Sequence, residues 1–137
     1  MTFEASRLME IERECERLVK RYCHIVDLAG GDGLAELFAE GGVLEINGVM
    51  VGRDALRARP AAPGSMQMRH FCTNILIDVV DESSARGVTY LVAYVEPAGT
   101  EEAGLPAFVG EYHDEFVLTP DGWRFASRRT HATFRRS

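Results

Sequence analysis

The hydrophobic pattern of this 137-residue chain changes its period once, and that change constrains the fold more than any other feature. Up to Ala29 the apolar residues recur every three or four positions, which is typical of one amphipathic helix that begins near Ser6 and ends at Gly30-Gly31. From Met68 onward the period is two, which predicts four long strands joined as an antiparallel meander. The predicted strands run from Met68 to Val80, Gly87 to Glu96, Ala107 to Thr119 and Trp123 to Phe134.

The segment between the first helix and the meander adds shorter elements. We expect a second helix from Asp32, ended by Gly41-Gly42, and a third from Ala55 to Arg59, closed by Pro60. Between them, Asn47-Gly48 joins two apolar runs and predicts a hairpin. The sequence therefore predicts one α+β domain over residues 1–137, in which three N-terminal helices cover one face of a strongly curved, mostly antiparallel sheet.

Composition and charge exclude several classes of function. A formal net charge of -6 argues against nucleic-acid binding, because phosphates are bound by positive surfaces. We expect no membrane contact and a cytoplasmic location, since the sequence has no apolar run of about 18 residues and no signal-peptide pattern at its start. The three cysteines form no CxxC pair, so neither a disulfide framework nor a thiolate zinc site is expected.

Alternation within the first long strand separates two faces. His70, Cys72, Asn74 and Leu76 share one face, and Phe71, Thr73, Ile75, Ile77 and Val79 form a continuous apolar row on the other. Alternation alone favours an ordinary surface or core role for His70 over a catalytic one. In the last strand either Arg128 or Arg129 must point inward, where it needs an anionic partner such as Asp27 or a substrate oxyanion.

Two further groups of polar residues have open roles. Asp27 lies near the end of the first helix, where the helix dipole disfavours a carboxylate, and this placement weakly suggests a functional role. On this ground alone, a solvated aspartate near a helix end is the better explanation. Glu111, His113 and Glu115 alternate and could form a metal site, but their strand face is typical of a solvated or interface surface. We therefore expect no bound metal.

Several short motifs, in their order and spacing, resemble one family. They are Tyr22-x4-Asp27, Gly31 to Phe38, Gly52 to Leu56, Arg69-His70-Phe71-x2-Asn74, Tyr112-x-Asp114 and Asp121 to Phe125. Over residues 5–134 the chain resembles the SnoaL-like branch of the nuclear-transport-factor-2-like (NTF2-like) superfamily. The resemblance implies a cone-shaped fold with an interior pocket. It also implies a homodimer or higher oligomer through the outer sheet face, which would cover the apolar row beginning at Phe71.

The resemblance also implies a candidate active site. In the related scytalone dehydratase, bile-acid 7α-dehydratase and lindane dehydrochlorinase, a late aspartate of the first helix orients a histidine that removes a proton, and Asp27 and His70 match these positions. Tyr22 matches the bile-acid dehydratase pattern, and Arg128 best matches an inward arginine that stabilises developing negative charge. The expected pocket lining comprises Val19, Cys23, Val26, Phe38, Met66, Met68, Cys72, Asn74, Leu76, Tyr90, Tyr94 and Phe108.

Two functions follow as expectations from the resemblance. The first is a lyase or isomerase without a cofactor, which removes a proton from a small hydrophobic, cyclic or polycyclic substrate. The second is a non-catalytic ligand-binding or accessory protein, similar to the small subunit of a ring-hydroxylating dioxygenase, because one fold serves many functions.

Overall fold

The computed structural model describes residues 4–59 and 64–136, which form two helices and six strands. The elements are α1 (Ala5–Leu28), a 3₁₀ turn (Leu34–Leu37), β1 (Phe38–Ile46), β2 (Val49–Gly52), α2 (Arg53–Ala58), β3 (Met66–Asp81), β4 (Ser84–Pro97), β5 (Phe108–Thr119) and β6 (Gly122–Arg135). The α+β class is confirmed. Neither described helix is long and apolar enough to cross a membrane.

All six strands form one curved sheet in the order β2-β1-β6-β5-β4-β3. Every neighbouring pair is antiparallel except β1 and β6, which run parallel. The predicted meander is therefore confirmed, and β3 is left at one edge of the sheet. The predicted hairpin is also present, because Asn47 and Gly48 both have positive φ between the paired residues Ile46 and Val49.

The helices differ from the prediction in number. The second predicted helix is a single 3₁₀ turn, and Phe38 already belongs to β1. Gly41-Gly42 does not end a helix but lies inside β1, where the pairing with β6 is irregular. The third predicted helix begins two residues earlier, at Arg53, and Pro60 lies outside the described residues. Helix α1 ends as predicted, with the Gly31 N–H donating to the Ile25 carbonyl at 3.1 Å.

A β-bulge in β3 changes which residues face the helix. Thr73 pairs with Tyr90 while Leu76 pairs with Val88, so β3 carries one extra residue, at Asn74 with φ 51°. The inward face therefore changes from His70 and Cys72 to Ile75, Ile77 and Val79. The predicted continuous apolar row on one face was wrong, because Phe71 and Ile77 lie on opposite faces.

Strand β6 contains a comparable bulge. Phe125 pairs with Phe116 while Ser127 pairs with Glu115, which leaves Ala126 as the extra residue. Strict alternation would put Arg129 on the face of Phe125, but the bulge places Arg128 there and leaves Arg129 exposed.

Helix α1 packs its apolar stripe on the inward face of the sheet. The stripe consists of Ile11, Cys15, Leu18, Val19, Tyr22 and Cys23, all buried. The buried rings of Phe116, Trp123 and Phe125 belong to the same core. This packing holds the last turns of α1 against β3 and sets the position of Asp27.

Candidate active site

Asp27 holds His70 through two hydrogen bonds. The backbone N–H of His70 donates to Oδ2 of Asp27 at 2.7 Å, and Nδ1 of His70 lies 2.5 Å from Oδ1. The side chains are only 6% and 14% exposed for Asp27 and His70. Since an ionised carboxylate can only accept a hydrogen bond, Nδ1 is the donor, and in the neutral form of the ring Nε2 is the free base.

The local fold explains why these two residues meet. Asp27 is the penultimate residue of α1 and lies one turn after the buried Cys23, so its side chain points toward the sheet. His70 precedes the β3 bulge and faces the helix. The carboxylate lies at the unfavourable end of the helix dipole, and the His70 N–H offsets that cost.

A cavity of about 330 Å³ opens beside this dyad, between the last turns of α1 and strand β3. It is lined by Lys20, Cys23, His24, Asp27, Leu28, Arg69, His70, Phe71, Cys72 and Thr73. The cavity therefore lies at the β3 edge of the sheet, and His70 is reached from there.

The lining differs from the predicted interior pocket. Of the twelve predicted residues, only Cys23 and Cys72 line this cavity. Val19 and Phe38 are fully buried in the core, and Val26 and Phe108 pack against it. Met66 and Asn74 are exposed, while Met68 and Tyr94 line a separate cavity of about 280 Å³. Leu76 and Tyr90 lie on the outer sheet face, at 65% and 53% exposure, so their prediction was wrong.

Arg128 fills the interior where a pocket was expected. Its side chain is 0% exposed and forms a bidentate ion pair with Asp114, with Nε–Oδ1 and Nη2–Oδ2 distances of 2.8 Å. The guanidinium carbon lies 3.7 Å from the ring centroid of Tyr112, 4.3 Å from that of Tyr22 and 4.5 Å from that of Phe125. Nη1 is buried and has no hydrogen-bond partner in the described part of the chain.

Burial and the charge of Asp114 have opposite effects on the pKa of Arg128. Burial disfavours the charged form of Arg128, but the Asp114 carboxylate outweighs it and raises the pKa of the guanidinium above its ordinary value. Burial also raises the pKa of Tyr22 to about 12, with Arg128 opposing that shift. Tyr22 is therefore neutral, and it lies in the core rather than in the cavity lining.

The architecture agrees with one family, whose model, a SnoaL-like domain, matches residues 7–129. The chain belongs to the SnoaL-like family. This confirms the resemblance and places the chain in the NTF2-like superfamily. No curated protein matches the chain.

Solved structures similar to this SnoaL-like domain share its fold over most of the chain. A putative scytalone dehydratase from Novosphingobium aromaticivorans DSM 12444 is 24% identical with a TM-score of 0.81, covering 96% of this chain and 89% of that one. An aspartate-to-asparagine variant of Rv3472, a protein of unknown function from Mycobacterium tuberculosis, is 30% identical with a TM-score of 0.74, covering 91% and 77%. A type 2 hexachlorocyclohexane dehydrochlorinase, LinA, is 14% identical with a TM-score of 0.78, covering 96% and 90%.

The pairing of Asp114 with Arg128 in this SnoaL-like domain was not predicted from the sequence. A usable signal was present, because Asp114 alternates with Tyr112 and Phe116 on the apolar face of β5. A carboxylate on a buried face needs a cation, and Arg128 is its partner across the strands.

The Glu111, His113 and Glu115 group lies on the outer face of the SnoaL-like sheet. Glu111 contacts His113 at 3.2 Å, and the His113 side chain is half-exposed. Within residues 4–59 and 64–136, no group of three or more His, Cys, Asp or Glu side chains is placed to hold a metal ion.

Proposed function

We propose that this SnoaL-like domain is a lyase or isomerase in which His70 removes a proton from a carbon of a small hydrophobic substrate. The observation that carries the proposal is the pair of hydrogen bonds that Asp27 accepts from the backbone N–H and from Nδ1 of His70, which fix the ring and leave Nε2 as the base. The buried carboxylate stabilises the imidazolium that forms when Nε2 accepts the proton. The released electron pair forms a double bond as a leaving group departs, or takes a proton back at another carbon.

The cavity lining supports a proposal for the substrate class. Leu28, Phe71 and the two cysteines supply apolar wall, while Lys20 and Arg69 supply positive charge. A volume of about 330 Å³ suits a small ring system. We propose a cyclic substrate whose C–H bond is made acidic by a neighbouring carbonyl group, because proton removal then yields an enolate that these cations stabilise.

Arg128 has a different role in this proposal from the one the resemblance implies. Two of its nitrogens are occupied by Asp114, and it does not line the cavity. We propose that Arg128 and Tyr22 are positioning residues, which hold α1 against β5 and β6 through the aromatic rings that surround the guanidinium. Their effect on the reaction then passes through the placement of Asp27.

The test is solvent exchange with a panel of cyclic and bicyclic β-hydroxy ketones in D₂O. Deuterium incorporation at the carbon next to the carbonyl is measured by mass spectrometry, and elimination of water is followed by the absorbance of the conjugated enone. His70→Gln removes the base and should slow both by about 10²- to 10⁴-fold. The rates of the Asp27→Asn variant should lie between those of wild type and of His70→Gln, because asparagine keeps the shape of the aspartate side chain but not its charge.

His131→Gln is the matched control, because His131 is exposed on the outer face of the sheet, away from the face that His70 shares with the helix. Retention of activity in both dyad variants would exclude the proposed base. Saturable binding of a panel member without exchange or elimination would instead support the ligand-binding or accessory role.

We also propose that the outer sheet face mediates a homodimer. The expected interface row was wrong for Ile75, Ile77 and Val79, which pack inward. Phe71, Leu76 and Tyr90 nevertheless expose large apolar side chains on neighbouring strands of that face. Light scattering should give a dimer mass for wild type and a monomer mass for Leu76→Glu combined with Tyr90→Glu, and a monomeric wild type would contradict the proposal.

A further inference from the structure

Two thiols meet in the wall of the cavity. Sγ of Cys23 on α1 lies 3.0 Å from Sγ of Cys72 on β3, although the residues are 49 apart in sequence. Both are free cysteines, and both line the cavity. We propose that Cys23 and Cys72 form an oxidation site, at which a peroxide converts the dithiol to a disulfide that links α1 to β3. This inference is independent of the proposed reaction.

The geometry needs little change to form this bond. A disulfide requires an S–S separation of about 2.05 Å, so the two sulfurs must approach by roughly 1 Å. Cys23 is four residues before Asp27, and Cys72 is two residues after His70. The hydrogen bonds between Asp27 and His70 already hold the same turn of α1 against the same part of β3. These hydrogen bonds thus hold α1 and β3 together next to the two sulfur atoms.

The surroundings of the two thiols differ, and this difference indicates which thiol reacts with the oxidant first. Cys72 is half-buried in the cavity wall, whereas Cys23 is buried. The hydrogen bond with Cys23 lowers the pKa of Cys72, and the nearby Arg128 cation acts in the same direction against burial. The same hydrogen bond, followed by burial, raises the pKa of Cys23. Cys72 is therefore the thiolate that meets an oxidant first.

The chemistry balances with a peroxide as the oxidant. The Cys72 thiolate attacks one oxygen of hydrogen peroxide, the O–O bond breaks, and Cys72 becomes a sulfenic acid as hydroxide leaves. The Cys23 sulfur then attacks the Cys72 sulfur, and its proton leaves with the hydroxyl group as water. Two thiols are oxidised by two electrons in total, and one peroxide is reduced.

The test treats the purified full chain with hydrogen peroxide, unfolds it in urea so that the buried Cys15 can also react, alkylates the remaining thiols with iodoacetamide and measures intact mass. The expected product carries one alkylated cysteine, and its mass is lower by two hydrogens because the other two cysteines form a disulfide. After reduction with dithiothreitol and a second alkylation, all three cysteines should be alkylated. Peptide mapping should join the Cys23 peptide to the Cys72 peptide. The oxidised protein should also unfold at a higher temperature, because the cross-link restricts the unfolded chain.

Cys15→Ser is the matched control and should oxidise like wild type. Cys15 lies fully buried on the same helix, and burial raises its pKa to about 12. Cys23→Ser and Cys72→Ser should each give no intramolecular cross-link. Three alkylated thiols after peroxide treatment of wild type, or Cys72 recovered as sulfinic acid without a cross-link, would overturn the proposal.

Discussion

Removing the charge of Asp114 should destabilise the fold strongly. Asp114 and Arg128 form a bidentate pair whose side chains are both 0% exposed. Asp114→Asn keeps the volume of the side chain but removes the carboxylate that compensates the guanidinium. Within the described part of the chain, Asp114 is the only side chain that accepts a hydrogen bond from the guanidinium, and Nη1 has no partner.

The magnitude follows from this full burial. Breaking a buried ion pair on one side costs about 3–5 kcal/mol, because the remaining charge is left without compensation. The free energy of unfolding for a domain is about 5–15 kcal/mol, so the variant loses a large part of its stability. With a urea m-value of about 2 kcal/mol/M, the unfolding midpoint should fall by roughly 1.5–2.5 M.

Urea unfolding followed by the fluorescence of Trp123 measures this effect. Trp123 is the only tryptophan of the chain and is buried. Asp54→Asn is the matched control, because Asp54 contacts Arg57 at 3.7 Å but is fully exposed. Its midpoint should stay at the wild-type value.

Replacing the whole pair separates charge from packing. Asp114→Leu combined with Arg128→Met removes both charges and keeps apolar volume, so it should recover most of the stability that Asp114→Asn loses. A midpoint for Asp114→Asn close to wild type would refute the reasoning. A double variant as unstable as Asp114→Asn would show that packing, rather than an uncompensated charge, sets the cost.

Two further predictions test local features of the fold. Asn74 has φ 51°, so Asn74→Val should destabilise the protein by about 1–2 kcal/mol in urea unfolding, whereas Asn74→Gly should not. Burial raises the pKa of Tyr22 from 10.0 to about 12, so between these values the unfolded chain releases the proton that the folded chain keeps. The urea midpoint should therefore be highest below pH 10 and decrease as the pH rises from 10 to 12. In Tyr22→Phe this decrease should be smaller.

Much of the fold could be predicted because local chemistry decides it. The period of α1 is set by its buried stripe, and the stop at Gly30-Gly31 requires positive φ, which glycine adopts freely. The Asn47-Gly48 turn is equally local. The pairing of Asp27 with His70 followed only from the resemblance, since alternation alone favoured no role for His70.

Other features depend on tertiary packing and could not be predicted in this way. A glycine pair can end a helix or lie in an irregular strand. Gly41-Gly42 lies in strand β1 because Phe38 packs in the core and β1 pairs with β6 on both sides of the two glycines. The position of the cavity beside His70 also depends on tertiary packing, because the rings around Arg128 fill the interior and the cavity lies at the β3 edge instead.

The bulge at Asn74 reconciles two demands that a regular strand cannot meet together. The core needs Ile75, Ile77 and Val79 on the inward face, and the dyad needs His70 on that same face. These positions differ by odd numbers of residues, so strict alternation would bury one set and expose the other. One inserted residue changes the parity, and Asn tolerates the left-handed conformation that the insertion requires. The position of the candidate base therefore depends on a backbone irregularity four residues further along the strand.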